Sequence, residues 1–165
     1  PIASEIRKIV KDGSLGRTAL TNVLLFTAAR HENWVQCVQP ALENGIDVLS
    51  ARSYKSTEVY QGIAEGFDRD FIKYLTRYAL SEDYMNADFG FILTLDDEEV
   101  RKQRIANRGV LEKPDTFEQR NDDFQRKLRE GYLEIAEEYQ IPLIKVDGKT
   151  PKEVADELVA QILPS

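Results

Sequence analysis

The chain has 165 residues, of which 42% are hydrophobic and 31% are charged, so it is long enough for one globular domain with a sizeable core. Its net charge of −7 argues against non-specific binding to DNA or RNA, because such binding needs a basic surface. No stretch approaches the roughly 20 apolar residues of a membrane span, and Cys37, the one cysteine, excludes an intrachain disulfide and suits a cytoplasmic protein.

The first third of the chain is predicted to be mostly helical. The apolar spacing over Ile2–Val10 predicts a short amphipathic helix. A long helix is predicted from Thr18 to Asn44, with a bend at Pro40 and a C-terminal stop at Gly45. The apolar residues Ile46–Leu49 that follow predict a short strand.

The rest of the chain alternates helix and strand patterns. Phe71, Leu75 and Tyr78 share one face of the next predicted helix, and the apolar run FGFILTL over Phe89–Leu95 is typical of a central parallel strand covered on both faces. The remaining predictions are helices over 70–80, 96–108, 115–139 and 151–162, a loop over 109–114, and a strand over 142–146. This alternation predicts a three-layer α/β fold, and without a repeat or linker we expect residues 1–165 to form a single domain.

Polar side chains follow the first predicted strand directly. Arg52, Ser56, Tyr60 and Gln61 come just after the apolar residues of 46–49. Ligands bind at the carboxyl ends of strands in open α/β sheets, and the planar guanidinium of an arginine can grip a phosphate or a carboxylate. A single surface arginine would more often pair with a nearby acid. The group as a whole favours a binding site.

A second candidate cluster lies in the long helix. Phe26 and Arg30 are four residues apart and share a helix face, so they could stack on and hydrogen-bond a flat heterocycle. A phenylalanine at helical spacing is more often part of the core, and on its own this pair leaves both interpretations open.

A third cluster is a basic stripe on the predicted helix over 96–108. Arg101, Arg104 and Arg108 lie on one face and could meet a polyphosphate. Acidic residues also begin this helix and basic ones end it, which the helix dipole favours without any ligand. The glycine- and proline-containing loop that follows favours a lid over a ligand, in a segment of about 101–117.

Several stretches together resemble the thymidylate kinases, which are P-loop nucleoside monophosphate kinases. PIASEIRKIV resembles the helix after the family's "REPGGT-P-AE-IR" turn, and LLFTAARHENWVQCVQPALENGIDVLS resembles its "LLF-AAR…V-PAL-G--V--DR" block. SYKSTEVYQG matches "Y--S--AYQG", and DTFEQRNDDFQRKLREGYLEIAEEY resembles "DRFE…F…VR-GY--LA". The resemblance covers essentially the whole chain and implies a P-loop-kinase-like fold with a parallel sheet flanked by helices.

The resemblance also implies an activity and a set of residue roles. The activity is phosphorylation of thymidine monophosphate (dTMP) by ATP with Mg²⁺, in a cytoplasmic enzyme that forms a homodimer. Phe26 would stack on thymine, and Arg30 would donate to a thymine carbonyl. Arg52 would bind the acceptor phosphate as a catalytic residue. The implied pocket residues are Ser56, Tyr60 and Gln61, and the implied catalytic arginines of the lid are Arg104 and Arg108.

Some positions depart from the family pattern. Ala51 stands where the resemblance expects a carboxylate near the phosphates and Mg²⁺, Ser53 where it expects an aromatic residue, and Thr116 where it expects an arginine. These departures leave open a catalytically impaired nucleotide-binding protein of the same fold. The stretch ARSYKS also resembles the "ERS" of deoxynucleoside kinases, which would make a nucleoside hydroxyl the acceptor.

The family's phosphate-binding loop is not found in the sequence. No G-x-x-x-x-G-K-[ST] motif occurs in the chain, and in the family that loop comes before the region where this sequence begins. We therefore expect the chain to be the C-terminal part of a longer protein, with a P-loop strand that lies between the strands predicted at 46–50 and 89–95.

Overall fold

The computed structural model describes residues 2–107, residue 117 and residues 120–163. They divide into two compact units. The first holds the described residues of Pro1–Ala87 and Lys113–Tyr132, and the second holds those of Asp88–Glu112 and Leu133–Ser165. That residues 1–165 form a single domain stays a prediction. No helix in the described part of the chain is long and apolar enough to cross a membrane.

The described residues form α-helices, two π-helical turns and two short strands. In chain order these elements are α1 (Ile2–Lys11), α2 (Ala19–Asn33), π1 (Trp34–Val38), α3 (Gln39–Glu43), α4 (Lys55–Thr57), π2 (Glu58–Ala64), α5 (Arg69–Ala79), α6 (Glu82–Met85), β1 (Ile92–Thr94), α7 (Glu98–Asn107), α8 (Asp122–Glu138), β2 (Leu143–Lys145) and α9 (Pro151–Ile162).

The long helix predicted from Thr18 to Asn44 is confirmed as the continuous run α2–π1–α3. The Thr18 side chain caps its start by accepting a hydrogen bond from the backbone N–H of Thr21. The register changes in π1, just before Pro40, which has no N–H to donate to the preceding turn. Gly45 ends the run with a φ of +69°, a left-handed conformation that glycine adopts without strain.

The strand predicted over Ile46–Leu49 is wrong. These residues have no strand partner among the described residues, and Ile46 is 59% and Leu49 96% exposed. An apolar run indicates that side chains favour burial, but a strand also needs a neighbouring backbone for its N–H and C=O groups.

The sheet lies in the second unit and joins β1 to β2. The strands are parallel, with Leu93 opposite Ile144, and the N–H of Val146 extends the ladder to the carbonyl of Thr94 (2.9 Å). The strand predicted at 142–146 is confirmed as β2. Ile144 and Val146 pack with a small group of apolar side chains, namely Phe91, Leu95, Val154 and Leu158.

The prediction of a central strand over Phe89–Leu95 is only partly confirmed. The strand is present but is limited to β1, and Phe89 and Leu93 are both 53% exposed. The prediction that this strand is covered on both faces is therefore wrong. A mostly apolar run is buried on both faces only if further strands and helices cover it, and in the described part of the chain β1 has one neighbour.

The later helices match the predictions except in two details. On α5 the buried side chains are Ile72 and Thr76, whereas Phe71 and Tyr78 are exposed, so the predicted face is not the packed one. Helix α8 begins at Asp122 instead of 115, because the Asn121 side chain accepts from the Phe124 N–H and caps the helix there.

Two helices lie close to their predicted bounds. α9 has the predicted bounds, and Thr150 and Glu153 form a capping box at its start. α7 begins two residues later than predicted, because the Asp97 carboxylate accepts from the first free backbone N–H groups of the helix. Its predicted last residue, Arg108, and the predicted loop over 109–114 lie outside the described residues. The helical run formed by α4 and π2 and the short α6 were not predicted.

Candidate functional site

The helical run α4–π2 places a buried glutamine in the first unit. Gln61 is fully buried, and neither its amide nitrogen nor its amide oxygen has a hydrogen-bond partner among the described residues. Buried side-chain amides nearly always have partners in folded proteins. The wide turn of a π-helix is also common at functional sites. The amide nitrogen of Gln61 can therefore donate a hydrogen bond to a bound ligand, and its amide oxygen can accept one.

Arg30 of α2 adds further donors. Its Nη2 donates to the Thr57 hydroxyl (2.6 Å) and to the Ser53 carbonyl (3.3 Å), whereas its buried Nη1 has no partner in the part of the chain that the structure describes. Burial lowers the pKa of Arg30, and the nearby guanidinium of Arg52 lowers it further. The side chain is thus held in one orientation, with one nitrogen still able to bind a ligand. The buried Thr27 hydroxyl, one turn earlier, is also unpartnered.

Aromatic rings lie beside Arg30 and around Tyr60. The guanidinium carbon of Arg30 lies 5.7 Å from the centre of the Phe26 ring. The Phe117 ring lies 6.3 Å from Phe26 and 5.5 Å, edge-on, from Tyr60. Tyr60 is also 6.4 Å from each of two rings of α8, those of Phe124 and Tyr132. The first unit therefore provides flat apolar surfaces next to unpartnered polar atoms, as a site for a heterocycle requires.

Arg52 and Ser56 lie at the edge of the same cluster. The guanidinium carbon of the exposed Arg52 is 5.5 Å from the centre of the Tyr60 ring. The Tyr132 hydroxyl donates to Ser56 Oγ (3.1 Å), and burial raises the pKa of that tyrosine. The structure thus links five of the six predicted substrate-binding residues through ring and hydrogen-bond contacts, namely Phe26, Arg30, Arg52, Ser56 and Tyr60. The sixth, Gln61, follows Tyr60 in π2.

Comparison with known proteins shows which family the chain belongs to. The family model described as thymidylate kinase matches residues 1–159. The chain belongs to the thymidylate kinase family.

Individual relatives agree with the match. The chain is 32% identical to the thymidylate kinase of Chlorobaculum tepidum, with 98% of this chain and 78% of that protein covered. It is 33% identical to the thymidylate kinase of Chlamydia muridarum, with the same shares covered. The crystal structure of thymidylate kinase from Ehrlichia chaffeensis matches the fold with a TM-score of 0.70 at 21% identity, covering 96% of this chain and 73% of that chain. The predicted α/β, P-loop-kinase-like fold class is thereby confirmed.

Of the two lid arginines predicted for this thymidylate kinase family member, the structure describes Arg104. Arg104 belongs to the second unit, where its Nη2 donates to the carbonyl oxygens of Val146 (3.0 Å) and Lys149 (3.1 Å). Arg108 lies outside the described residues, as does Thr116, and with them most of the predicted lid over 101–117. The catalytic roles of Arg104 and Arg108 stay predictions.

The position of the expected carboxylate is occupied by Ala51, which is exposed. Glu58, the acidic residue of π2, is fully buried and pairs with Arg69 at 3.1 Å. The described residues contain no group of acidic, histidine or cysteine side chains suited to a metal ion. This part of the chain therefore offers no ligand set for Mg²⁺.

Sequence reasoning missed four residues of the cluster. Phe117, Phe124 and Tyr132 lie seven and eight residues apart, which is helical spacing, and their stretch was already matched to a family block. That spacing could have indicated one aromatic face. Nothing in the sequence distinguishes Thr27, because only the fold shows that its hydroxyl is buried without a partner.

Proposed function

We propose that this protein is a thymidylate kinase that transfers a phosphoryl group from ATP to dTMP and so forms the diphosphate. The observation that carries the proposal is the pair of unpartnered buried groups, the Gln61 amide and Arg30 Nη1, in the same unit as the rings of Phe26 and Tyr60. A pyrimidine base has both donor and acceptor edges and a flat apolar face, so it complements such a site.

The base-binding roles follow from these side chains. In the proposal, Phe26 stacks on the thymine ring, and the free Nη1 of Arg30 donates to a thymine carbonyl oxygen. The Gln61 amide can accept from the ring N–H of thymine and donate to a neighbouring carbonyl. Thr57 keeps the Arg30 guanidinium in place through the 2.6 Å hydrogen bond. A site built to hydrogen-bond a polar edge rejects bases that lack it, because its buried groups would otherwise stay unpaired.

Arg52 is proposed to bind the phosphate of dTMP. The guanidinium groups of Arg30 and Arg52 lie near enough for the charge of Arg52 to lower the pKa of Arg30. An anion between or beside them relieves that repulsion and accepts charge-assisted hydrogen bonds. Arg52 would stabilise the negative charge of the acceptor while an oxygen of the dTMP phosphate bonds to the terminal phosphorus of ATP and ADP leaves with the electrons of the broken P–O bond. Ser56, held by Tyr132, and Tyr60 line the pocket beyond it.

ATP and Mg²⁺ belong to the proposal through the family alone. ATP supplies the transferred phosphoryl group, and Mg²⁺ neutralises its charge. The described residues do not fit either group, since the chain has no glycine-rich phosphate loop and Ala51 stands where the family has a carboxylate. The residues of this chain therefore account for the acceptor and not for the donor.

Family membership favours thymidylate kinase over the deoxynucleoside kinase alternative. Ala51 is the observation that favours a second candidate, a nucleotide-binding protein with impaired transfer. The two candidates agree on dTMP binding and differ in turnover, which a coupled assay of ADP release measures.

Nucleotide choice tests the proposal. At about 100 times its dissociation constant, dTMP should stabilise the protein by about 2.7 kcal/mol, and AMP at the same concentration by much less. Phe26→Ala should reduce the difference, since it removes the stacking surface. Phe71→Ala removes an exposed ring of α5 and is the matched control. Melting curves by circular dichroism report both stability and folding. Equal stabilisation by dTMP and AMP would contradict the thymine assignment.

The proposal extends to a cytoplasmic homodimer, as the family resemblance implies. Exposed aromatic residues on α5, Tyr74 and Tyr78, are stacked at 6.3 Å in the first unit and are 62% and 81% exposed. Leu20 and Leu24 of α2 are exposed as well, and exposed apolar side chains of this kind suit contact with a second copy.

A further inference from the structure

The residues that precede α8 contact the proposed base site from one side. Phe117 is 7% exposed, and its ring lies beside those of Phe26 and Tyr60. Its carbonyl accepts a hydrogen bond from the Gln125 side chain of α8 (2.9 Å). The backbone of Phe117 is thus attached to α8, while its ring belongs to the aromatic cluster of the site.

A second attachment runs from Arg120 to the end of π2. Arg120 Nη1 lies 2.7 Å from Glu65 Oε1, and the Glu65 side chain is only 9% exposed. Its contact with Arg120 is an ion pair without the alignment of a good hydrogen bond. Glu65 is the residue that ends π2, and its N–H donates to the Tyr60 carbonyl (3.1 Å). The carboxylate is therefore attached to the same turn that carries Tyr60 and Gln61.

The Arg120 guanidinium also contacts aromatic rings. It lies 5.4 Å from the centre of Phe117 and 4.5 Å from that of Phe124. Cation–π contacts of this kind favour one orientation of a ring relative to the cation. Glu65 holds the cation and the cation contacts Phe117, so the position of the ring depends on an acid at the end of π2.

This arrangement differs from an ordinary surface ion pair. Arg126, which lies on α8, pairs with Asp123 and Glu130, and all three side chains are more than half exposed. Such pairs contribute little to stability. Arg120 is 35% exposed and lines an open cavity of about 300 Å³, so its side chain has room to move when the pair is broken.

We propose that the Glu65–Arg120 ion pair positions Phe117 against Phe26 and Tyr60 and thereby sets how tightly the base is held. The inference rests on the proposed dTMP site. Glu65 and Arg120 are positioning residues, because they act through the Phe117 ring. Breaking the pair lets the ring move, so part of the binding free energy must then be used to order it.

Binding measurements test the ion pair. Arg120→Met and Glu65→Gln should each weaken dTMP binding by about three- to tenfold. The double variant should lose no more affinity than the single variant with the larger loss, because both substitutions remove the same interaction. Arg120→Lys keeps the charge and should restore part of the affinity. The control is Arg126→Met, which breaks the exposed ion pairs of α8 and should bind dTMP like wild type. In the coupled assay KM should rise while kcat stays unchanged, because no transferring group is touched.

A Phe117→Leu background separates positioning from general stability. If Arg120 acts through the ring, Arg120→Met should have no further effect on dTMP affinity once the ring is absent. If the pair only stabilises the fold, the same loss of affinity should appear in both backgrounds, together with a lower melting temperature, and the inference is overturned.

A measurement without nucleotide distinguishes failure of this inference from failure of the proposed function. With 4-fluorophenylalanine at position 117, the fluorine resonance of the intact protein should move toward its solvent-exposed value in Arg120→Met and not in Arg126→Met. A shift combined with no dTMP binding by wild type would refute the proposed function and keep the positioning role. An unchanged resonance together with unchanged dTMP affinity would refute the positioning role.

Discussion

Two arginines of this acidic protein are proposed to bind the nucleotide. Arg30 is half-buried and is oriented by Thr57 and Ser53, whereas Arg52 is exposed and lies over the Tyr60 ring. The first is suited to a neutral carbonyl oxygen in a confined site, and the second to a charged group that arrives from solvent. The two guanidinium groups therefore have different proposed partners, the base and the phosphate.

Removing the Arg52 side chain should weaken nucleotide binding. A charge-assisted hydrogen bond contributes about 1.5–3 kcal/mol, so Arg52→Ala should lower the affinity for dTMP by about 10- to 100-fold. Arg52→Lys keeps the charge but lacks the planar fork, and its affinity should lie between the two. Isothermal titration calorimetry measures all three.

Thymidine provides the control for this prediction. It lacks the phosphate, so wild type and Arg52→Ala should bind it almost equally. Arg77→Ala removes another exposed arginine of the same unit, one paired with Glu82, and should leave dTMP binding unchanged. If Arg52→Ala binds dTMP as tightly as wild type, Arg52 is an ordinary surface residue and its assignment to the phosphate fails.

At the scale of elements, π2 and α8 approach each other closely at a glycine. A Cβ atom at Gly131 would lie 3.1 Å from Val59 Cγ1 and 3.2 Å from two carbons of Ile63. Val59 is fully buried and has no room to yield freely. Glycine in the middle of α8 therefore lets the helix that carries Tyr132 pack against the turn that carries Tyr60.

Gly131→Ala should destabilise the protein despite the higher helix propensity of alanine. The propensity gain is about 1 kcal/mol, whereas overpacking a buried contact costs about 1–3 kcal/mol. We expect a net loss of about 1 kcal/mol in the free energy of unfolding, measured by urea denaturation. Val59→Ala in the same background removes the crowded methyl groups, so the two substitutions should be non-additive. A more stable Gly131→Ala protein would show that the contact relaxes without cost.

At the scale of the whole molecule, the net charge of −7 does not prevent binding of an anionic nucleotide. Salt screens the repulsion between the net charge of the protein and a distant nucleotide. Arg30 and Arg52 are proposed to contact the bound nucleotide directly, where salt screens little. The same net charge opposes association of two copies, so a homodimer needs an apolar contact surface.

Exposed apolar side chains on α2 and α5 allow a test of the proposed homodimer. Sedimentation velocity should give a dimer for wild type, and Tyr78→Glu should raise the dimer dissociation constant at least tenfold, because a carboxylate at an apolar interface loses its hydration. Lys73→Glu reverses a charge on the same helix and is the control for charge alone. A wild-type protein that sediments as a monomer at all concentrations would contradict the homodimer. A dimer unaffected by Tyr78→Glu would place its interface elsewhere.

Local patterns in the sequence were sufficient to predict most helices. Helical periodicity and capping chemistry act between residues three or four apart, so they predicted α1, the run α2–π1–α3, α5 and α9, with Pro40, Gly45 and Pro151 marking bends and ends. The motif residues Phe26, Arg30, Arg52 and Tyr60 were likewise chosen from short stretches, and the fold brings them into one cluster.

Tertiary structure decided everything that depends on residues distant along the chain. Apolar content suggested a strand at Ile46–Leu49, but pairing depends on a partner backbone that the local sequence does not specify. The buried side of α5 is set by what packs on it, which favours Ile72 and Thr76 over Phe71. The unpartnered atoms of Gln61 are defined by surroundings built from many segments. Periodicity acts between residues a few positions apart, whereas burial and pairing depend on which distant segments meet.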